Sequence, residues 1–405
     1  MNSSTKKTVY VIRYGDLPCQ KNRAVYQRPL YLSKYYDVWY VTSKNSSICE
    51  AIKTRSEIYE VPFSAMRNWM GILGVTVWRV FAAIYLACFI SRKKSAVIYT
   101  FHRDGFLAGG LCKILFPNKV RLICDMQHTP YYYLDAARHS KFSPIKKTVY
   151  AILGYMHIML AKAVLPKADL VCVMSLDYGE GFAKILEEKF KVRKDRLLPI
   201  PNGTDLSLLH NNDVEPVMQL DHVPKKYLYA GNIQRERLLQ ILNIYKAVCL
   251  EEADSVLMLC GKITPEAKKL LNLEVNTTNK IRYLGVIDHS DLMRLYGEVD
   301  VVLVAIDTER RDHEYSHPGK LFEAMACRKV VVSSDFHLAT KIIQHGVNGF
   351  IFSKDATQSD IKEVVCAIDD SERANEIGNK AYETASKFDW KILNEVWAAR
   401  IENLL

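Results

Sequence analysis

An α/β chain of two parallel-sheet halves is what this sequence predicts, and three observations predict it. Short apolar runs alternate with helical patterns along the whole chain, which is the βαβ rhythm of a parallel sheet. The length of 405 residues suits two or three domains. Apolar residues make up 49% and charged residues 25%, the composition of a folded globular protein rather than a disordered one. Candidate strands of the first half are 8–12, 37–41, 96–100, 121–124 and 170–174. Those of the second half are 227–230, 255–259, 281–284, 299–304, 330–332 and 349–351. The seam falls between Pro199 and Asp205, giving an N-terminal domain over 1–200, a second over 201–387 and a final helix over 388–405. No repeat of solenoid period and no low-complexity tract interrupts this pattern. Each half is large enough to bury a core of its own.

Charge divides the chain more sharply than hydropathy does. The formal net charge is +10, yet residues 1–200 hold 31 Lys and Arg against 14 Asp and Glu, whereas residues 201–405 hold 24 against 31. Such asymmetry concerns association rather than fold, and it expects an acidic partner for the first half: an anionic membrane surface or a phosphate-bearing lipid acceptor. Nucleic acid is not expected, because no zinc-finger, RNP or basic-zipper pattern is present. Met1 to Lys7 is polar and leads straight into the first strand, so no secretory signal is expected. The stretch Gly71 to Ile90 is mostly apolar, but Arg79 near its middle disfavours a membrane span by about 2.5–3.5 kcal/mol. A second greasy helix is predicted from Ser143, a cap followed by Pro144, with Lys146 and Lys147 at its start and an apolar run from Tyr150 to Leu160. Both helices suit either a core or a bilayer interface. Ten scattered cysteines without a C-x-x-C pair read as free thiols in a reducing compartment. The location these features suggest is cytoplasmic and peripheral on the inner face of the membrane.

The stretch from Ser316 to Ile343 carries the most chemistry. Pro318, Gly319 and Lys320 lead into a short helix with Glu323 in its first turn, followed by an apolar strand. A helix N-terminus behind a permissive glycine collects free N–H groups and the positive dipole end at one point, which suits a diphosphate. A carboxylate just behind that point can accept hydrogen bonds from sugar or ribose hydroxyls.

The wording Glu323-Ala324-Met325-Ala326 resembles the retaining GT-B glycosyltransferases of the large group-one type. That family carries a second glutamate upstream, where this chain has Tyr315, with Glu314 one position too early. Further resemblance lies in Ala168-Asp169-Leu170-Val171 with Ser175, in Pro201-Asn202-Gly203-Thr204-Asp205, in the run Ile281 to Ala305, and in Phe388-Asp389-Trp390. It covers most of residues 165–405, and the first 165 residues match only loosely. The resemblance implies two Rossmann-like domains facing across a cleft, with the C-terminal helix packing back on the first. It also implies transfer of a sugar from a nucleotide diphosphate to a glycan or lipid-linked acceptor, with retention and without a metal or other cofactor.

Carried over residue by residue, the resemblance implies Glu323, His128 and Glu314 as catalytic candidates. His128 ends the segment after a first-half strand, and His102 at a similar strand end is its rival. For the donor it implies Gly231, Asn232, Arg235, Arg237, Gly285, Val286, Ile287, Pro318, Gly319 and Lys320. Arg235 or Arg237 would neutralise the diphosphate where the family has an arginine at the position of Asn232. The backbone of Gly285 to Ile287 would receive the base, with UDP favoured over GDP. Arg13, Arg23, Asp104 and Asp125 are expected on the acceptor side, and Arg28 is offered there on charge alone. Arg13-Tyr14-Gly15-Asp16 has one glycine and no G-x-G-x-x-G, which speaks against a dinucleotide-dependent dehydrogenase. Two other readings stay open on the same architecture: a sugar-nucleotide epimerase, and a non-catalytic binding or scaffold subunit.

Overall fold

The computed structural model describes residues 7–13, 24–44, 46–64, 72–139, 142–210, 225–248, 255–277, 280–306, 314–353 and 356–404. It divides into two compact units, one of Met1–Asn202 with Lys391–Leu405 and one of Gly203–Trp390. Arg23 lies outside the described residues.

The first unit runs β1 (Thr8–Ile12), α1 (Ala24–Leu32), β2 (Asp37–Lys44), α2 (Glu50–Lys53), β3 (Glu57–Ser64), α3 (Ile72–Ser91), β4 (Ala96–Phe101), α4 (His102–Leu115), β5 (Val120–Met126), α5 (Tyr132–His139), α6 (Pro144–Val164), β6 (Leu170–Val173), α7 (Gly181–Phe190) and β7 (Leu197–Pro199). The strands form one parallel sheet in the order β3-β2-β1-β4-β5-β6-β7. β5 and β6 are buried almost throughout, as expected of strands covered on both faces. β3 and β7 are additions to the expected strands. Glu57 and Glu60 break the apolar run of β3, which lies at the sheet edge, and β7 has only three residues.

Helix α4 lies deep beneath its neighbours, and small residues make that possible. A Cβ on Gly110 would come within 2.5 Å of Val164 in α6, and one on Gly154 of α6 within 2.7 Å of Leu134 in α5. The expected cap of α6 is present: the Ser143 hydroxyl accepts from the Lys146 N–H, with Pro144 in the first turn. Arg79 inside α3 donates to the Tyr133 hydroxyl at 3.1 Å.

Asp125 corrects an expectation. It is fully buried at the end of β5, where its carboxylate accepts from the Arg28 guanidinium and the Tyr99 hydroxyl, and from the Gln127 amide at 2.6 Å. Burial pulls the Arg28 pKa down, but the Asp125 charge outweighs it and holds the guanidinium above its ordinary value. Burial, then Asp125, raises the Tyr99 phenol well above the usual range. The Arg28 guanidinium lies 6.0 Å from the Trp397 ring centre, and Tyr99 meets the same ring edge-on at 5.6 Å. Arg28 and Asp125 thus tie the first and last helices of this unit to its sheet, and neither is placed to meet an acceptor.

The second unit runs β8 (Lys225–Ala230), α8 (Arg235–Val248), β9 (Ser255–Cys260), α9 (Pro265–Thr277), β10 (Ile281–Gly285), α10 (His289–Glu298), β11 (Val301–Val304), α11 (Gly319–Ala326), β12 (Val330–Ser334), α12 (His337–Ile342), β13 (Phe350–Phe352), α13 (Gln358–Asp369) and α14 (Ser371–Ser386), and α15 (Trp390–Glu402) then enters the first unit. Its parallel sheet has the order β10-β9-β8-β11-β12-β13. Such an order reverses direction between β8 and β11, and open α/β sheets bind ligands at the carboxyl ends of strands at this switch point. Thr204 and Asp389 pair as a short bridge, with the Thr204 N–H on the Phe388 carbonyl at 3.0 Å and the Trp390 N–H on the Thr204 carbonyl at 2.9 Å. Among the described cysteines Cys88, Cys112, Cys124, Cys172, Cys260, Cys327 and Cys366 are free, while Cys49 is disulfide-bonded, against the expectation of thiols throughout.

Replacing Arg28 with Met leaves Asp125 buried without its cation, and the first unit is expected to lose about 3–5 kcal/mol of stability. Urea unfolding followed by tryptophan fluorescence reads this, and replacing Asp125 with Leu in the same chain recovers most of the loss.

Candidate functional site

The switch point of the second sheet is built from bare backbone. Gly231 and Gly261 follow β8 and β9 with φ of +141° and +126°, and Gly285 ends β10 with φ of +75°. A Cβ on Gly261 would fall 2.0 Å from the Gly231 carbonyl oxygen, so only glycine lets these two turns touch. The Gly231 N–H bonds the Cys260 carbonyl at 2.9 Å and the Gly261 N–H the Gly285 carbonyl at 2.6 Å, locking the three turns in a row. Gly261 was not anticipated from the sequence; the turn after an apolar strand, Gly261-Lys262, was its signal.

Two cations meet over this ledge. Lys320, in the first turn of α11, places Nζ 4.0 Å above the Tyr229 ring and 3.4 Å from the Ala305 carbonyl, within 3.5 Å of where a Gly231 Cβ would stand. Arg237, on α8, lies close enough for its charge to act on both Tyr229 and Lys320, and the Tyr229 hydroxyl donates to the Asn232 carbonyl at 3.1 Å. Tyr229 therefore carries one cation on its ring face, with a second cation close by. Burial, then the charge of Arg237, holds the Lys320 ammonium well below its ordinary pKa, and Glu323 offsets part of this. Arg235 is half-exposed and pairs with Glu236 at 3.9 Å. Of the two arginines left open by the sequence, the fold brings Arg237 to Lys320.

Helix α11 supplies the third component. Pro318 occupies its N-cap without a side-chain cap, and the first internal bond is Leu321 N–H to the Pro318 carbonyl at 3.1 Å. The N–H groups of Gly319 and Lys320 thus open onto the point where the two cations converge. His317, just ahead, is buried, and burial followed by the charge of His337 holds its pKa down to about 3, so it adds no charge near neutral pH.

Glu323 stands one turn into α11 on the side of Lys320. It is buried, and its two carboxylate oxygens are held separately: His289 Nε2 lies 3.0 Å from one, and the Tyr296 hydroxyl donates to the other at 3.4 Å. Burial, then Glu323, raises the Tyr296 phenol well above its usual range, so it remains a donor. His289 opens α10 directly after the turn of Gly285, Val286 and Ile287, where Val286 is 75% exposed. Sequence reasoning missed His289 and Tyr296, whose spacing on α10 puts them two helical turns apart on one face.

Glu314 is half-buried just before Tyr315, and the Tyr315 ring meets that of His337 at 5.5 Å. In the first unit, Arg13 follows β1, with its charge near the buried Tyr40 hydroxyl. His128 is half-buried past β5, its ring 5.4 Å from Tyr132. The backbone of His102 and Asp104 opens α4 at the carboxyl end of β4.

Residues 224–370, almost the whole span from β8 to α13, match the family model of the group 1 glycosyl transferases. No curated protein sequence matches the chain. Among solved structures it is similar to a sucrose-phosphate synthase of Thermosynechococcus elongatus, at 16% identity and a TM-score of 0.70, covering 98% of this chain and 99% of that one. It is similar to Anabaena HepE, solved in complex with UDP-glucose, at 17% identity and a TM-score of 0.67, with the same coverage. A glycosyltransferase of Rickettsia africae is similar at 14% identity and a TM-score of 0.64, again over 98% and 99% of the two chains. Residues 224–370 thus match the group 1 glycosyl transferase model, and the chain has a GT-B fold.

Proposed function

We propose that the chain is a glycosyltransferase that moves a sugar from a UDP-sugar to a glycan or lipid-linked acceptor, with retention at the anomeric carbon, in the synthesis of a cell-surface polysaccharide or glycolipid. The observation that carries this is the convergence of Lys320, Arg237 and the open N-terminus of α11 above the Gly231 and Gly261 turns, with the fixed carboxylate of Glu323 one turn away. Similar structures solved with UDP and UDP-glucose support a uridine donor.

The chemistry follows from the placement. Cleaving the bond between the sugar and its diphosphate leaves two negative charges on the departing phosphate. The Lys320 ammonium, the Arg237 guanidinium and two backbone N–H groups are already oriented toward that charge, so little reorganisation is required as it develops. Glu323 accepts hydrogen bonds from a donor hydroxyl, and His289 with Tyr296 keeps its carboxylate from rotating. The exposed turn of Gly285 to Ile287 receives the base through its backbone. Retention and the role of His128 in holding sugar hydroxyls rest on the resemblance of the motifs, and Arg13 and Asp104 are assigned to the acceptor from their positions at first-sheet strand ends.

Incubation with a panel of sugar nucleotides, with and without glycan and lipid-linked acceptors, tests this reading. Release of UDP that depends on acceptor is expected. An epimerised donor formed without acceptor, or binding of no sugar nucleotide at all, overturns it. Replacing Arg237 with Ala is expected to weaken UDP binding roughly 10- to 100-fold by calorimetry, while replacing Arg235 with Ala leaves it within about threefold. Because Lys320 is held below its ordinary pKa in the free protein, a bound diphosphate raises it again. Binding is therefore expected to take up protons between the depressed value and the restored one, and to weaken as pH rises through that window. Calorimetry in two buffers of different ionisation heat measures that uptake, which Lys320→Met abolishes.

A further inference from the structure

Helix α6 shows two opposite faces, and among the described residues only one is covered. Gly154, His157, Ile158, Ala161 and Val164 are buried, and α6 packs against α5. On the other side Ile145 is 79% exposed, Ile152 56%, Tyr155 61%, Met156 58% and Met159 69%. These five side chains fall at intervals of 7, 3, 1 and 3 residues along the helix, which places them in one stripe about 100° wide. The residues between Lys147 and Lys162 include no Asp, Glu, Lys or Arg, and the one histidine, His157, is on the buried face. Exposed lysines bound the stripe at both ends: Lys146 and Lys147 at its start, Lys162 and Lys167 at its finish. Monomeric proteins rarely expose a contiguous apolar face of this extent, and such faces mark contact sites.

We propose that this face of α6 is where the first unit lies on an anionic lipid bilayer. The helix with the turn after it, Pro144–Lys167, is long and apolar enough to cross a membrane, but its buried side is committed to α5 and α4. It lies in the interface plane instead, with its aliphatic and Met side chains among acyl chains and its lysines at headgroup level. Charge selects the partner. The half of the chain that contains α6 carries 31 basic against 14 acidic residues, whereas a second copy of the same surface would oppose lysine with lysine. Helix α3, which packs on α4 as α6 does, repeats the pattern: Val80, Phe81 and Ile84 are exposed, and exposed Arg92, Lys93 and Lys94 follow its end. This inference deepens the reading of the chain as an enzyme acting on a membrane-borne acceptor and names the lipid surface it uses.

Sedimentation of the full chain with vesicles of phosphatidylcholine alone, and of phosphatidylcholine and phosphatidylglycerol in equal parts, tests the proposal. Binding to the mixed vesicles and not to the neutral ones is expected, weakening as salt is added. The triple variant Ile152→Ser, Met156→Ser, Met159→Ser is expected to lower partitioning roughly tenfold or more, and each of Lys146→Gln and Lys147→Gln roughly fivefold. All of these changes are on the surface, and UDP affinity of the triple variant, measured by calorimetry, is expected to stay unchanged. Conversely, Arg237→Ala is expected to lose UDP and keep vesicle binding, so failure of the donor site and failure of the lipid face are separate results. The proposal is overturned if the chain ignores anionic vesicles at low salt, if the triple variant binds them as well as the unaltered protein, or if the stripe instead holds a dimer that the triple variant dissolves.

Discussion

Two like charges held together before any ligand arrives are the constraint on which the second unit turns. Lys320 and Arg237 both lie close to Tyr229, and the carboxylate one turn along, Glu323, has its oxygens engaged by His289 and Tyr296. Repulsion between the cations and loss of water at Lys320 cost free energy, visible in the depressed ammonium pKa. That cost is tolerable because the structure around it is over-determined: two touching glycine turns, a buried aromatic ring and the first turn of a helix. The diphosphate of the proposed donor relieves the strain, so on that reading what the free protein gives up in stability it recovers in affinity for an anion of the right length.

The opposite arrangement occurs in the first unit. Arg28 and Asp125 are both fully buried and neutralise each other's charge, with Tyr99 and Gln127 also donating to the carboxylate. A pair of this kind stabilises the joint between α1, the sheet and α15 without offering charge to a ligand. The two clusters separate what a site needs from what a core needs: a site holds one sign of charge in excess, and a core holds charge in balance.

This distinction explains what could be read in the sequence. The strands of both sheets were legible because parallel strands buried on both faces are continuous apolar runs, as in Val301–Val304 and Leu170–Val173. The edge strand β3 was not, since Glu57 and Glu60 interrupt its apolar run. Gly319, Lys320 and Glu323 were legible because a helix start declares itself locally. Asp125 was expected on the acceptor side because its partner, Arg28, lies 97 positions away, and only the fold brings them together. The choice of Arg237 over Arg235 likewise depended on the orientation of α8, and His289 drew no notice because its partner, Glu323, belongs to another helix.

The same logic links the donor site to the lipid face. In the second unit, net negative by sequence, the cations that matter are few, partly buried and fixed. On α6 the lysines are exposed, and the apolar stripe between them has no acid to neutralise them. Fixed, desolvated cations discriminate among anions by geometry, while mobile, hydrated ones respond to the average charge of a surface. The proposed soluble donor and lipid-borne acceptor call for both kinds of recognition, and in this chain the two candidate surfaces are built from the same residue types. What differs is the environment: Tyr229 and the glycine turns hold Lys320, whereas Lys146 and Lys147 are left in water at the end of a greasy helix.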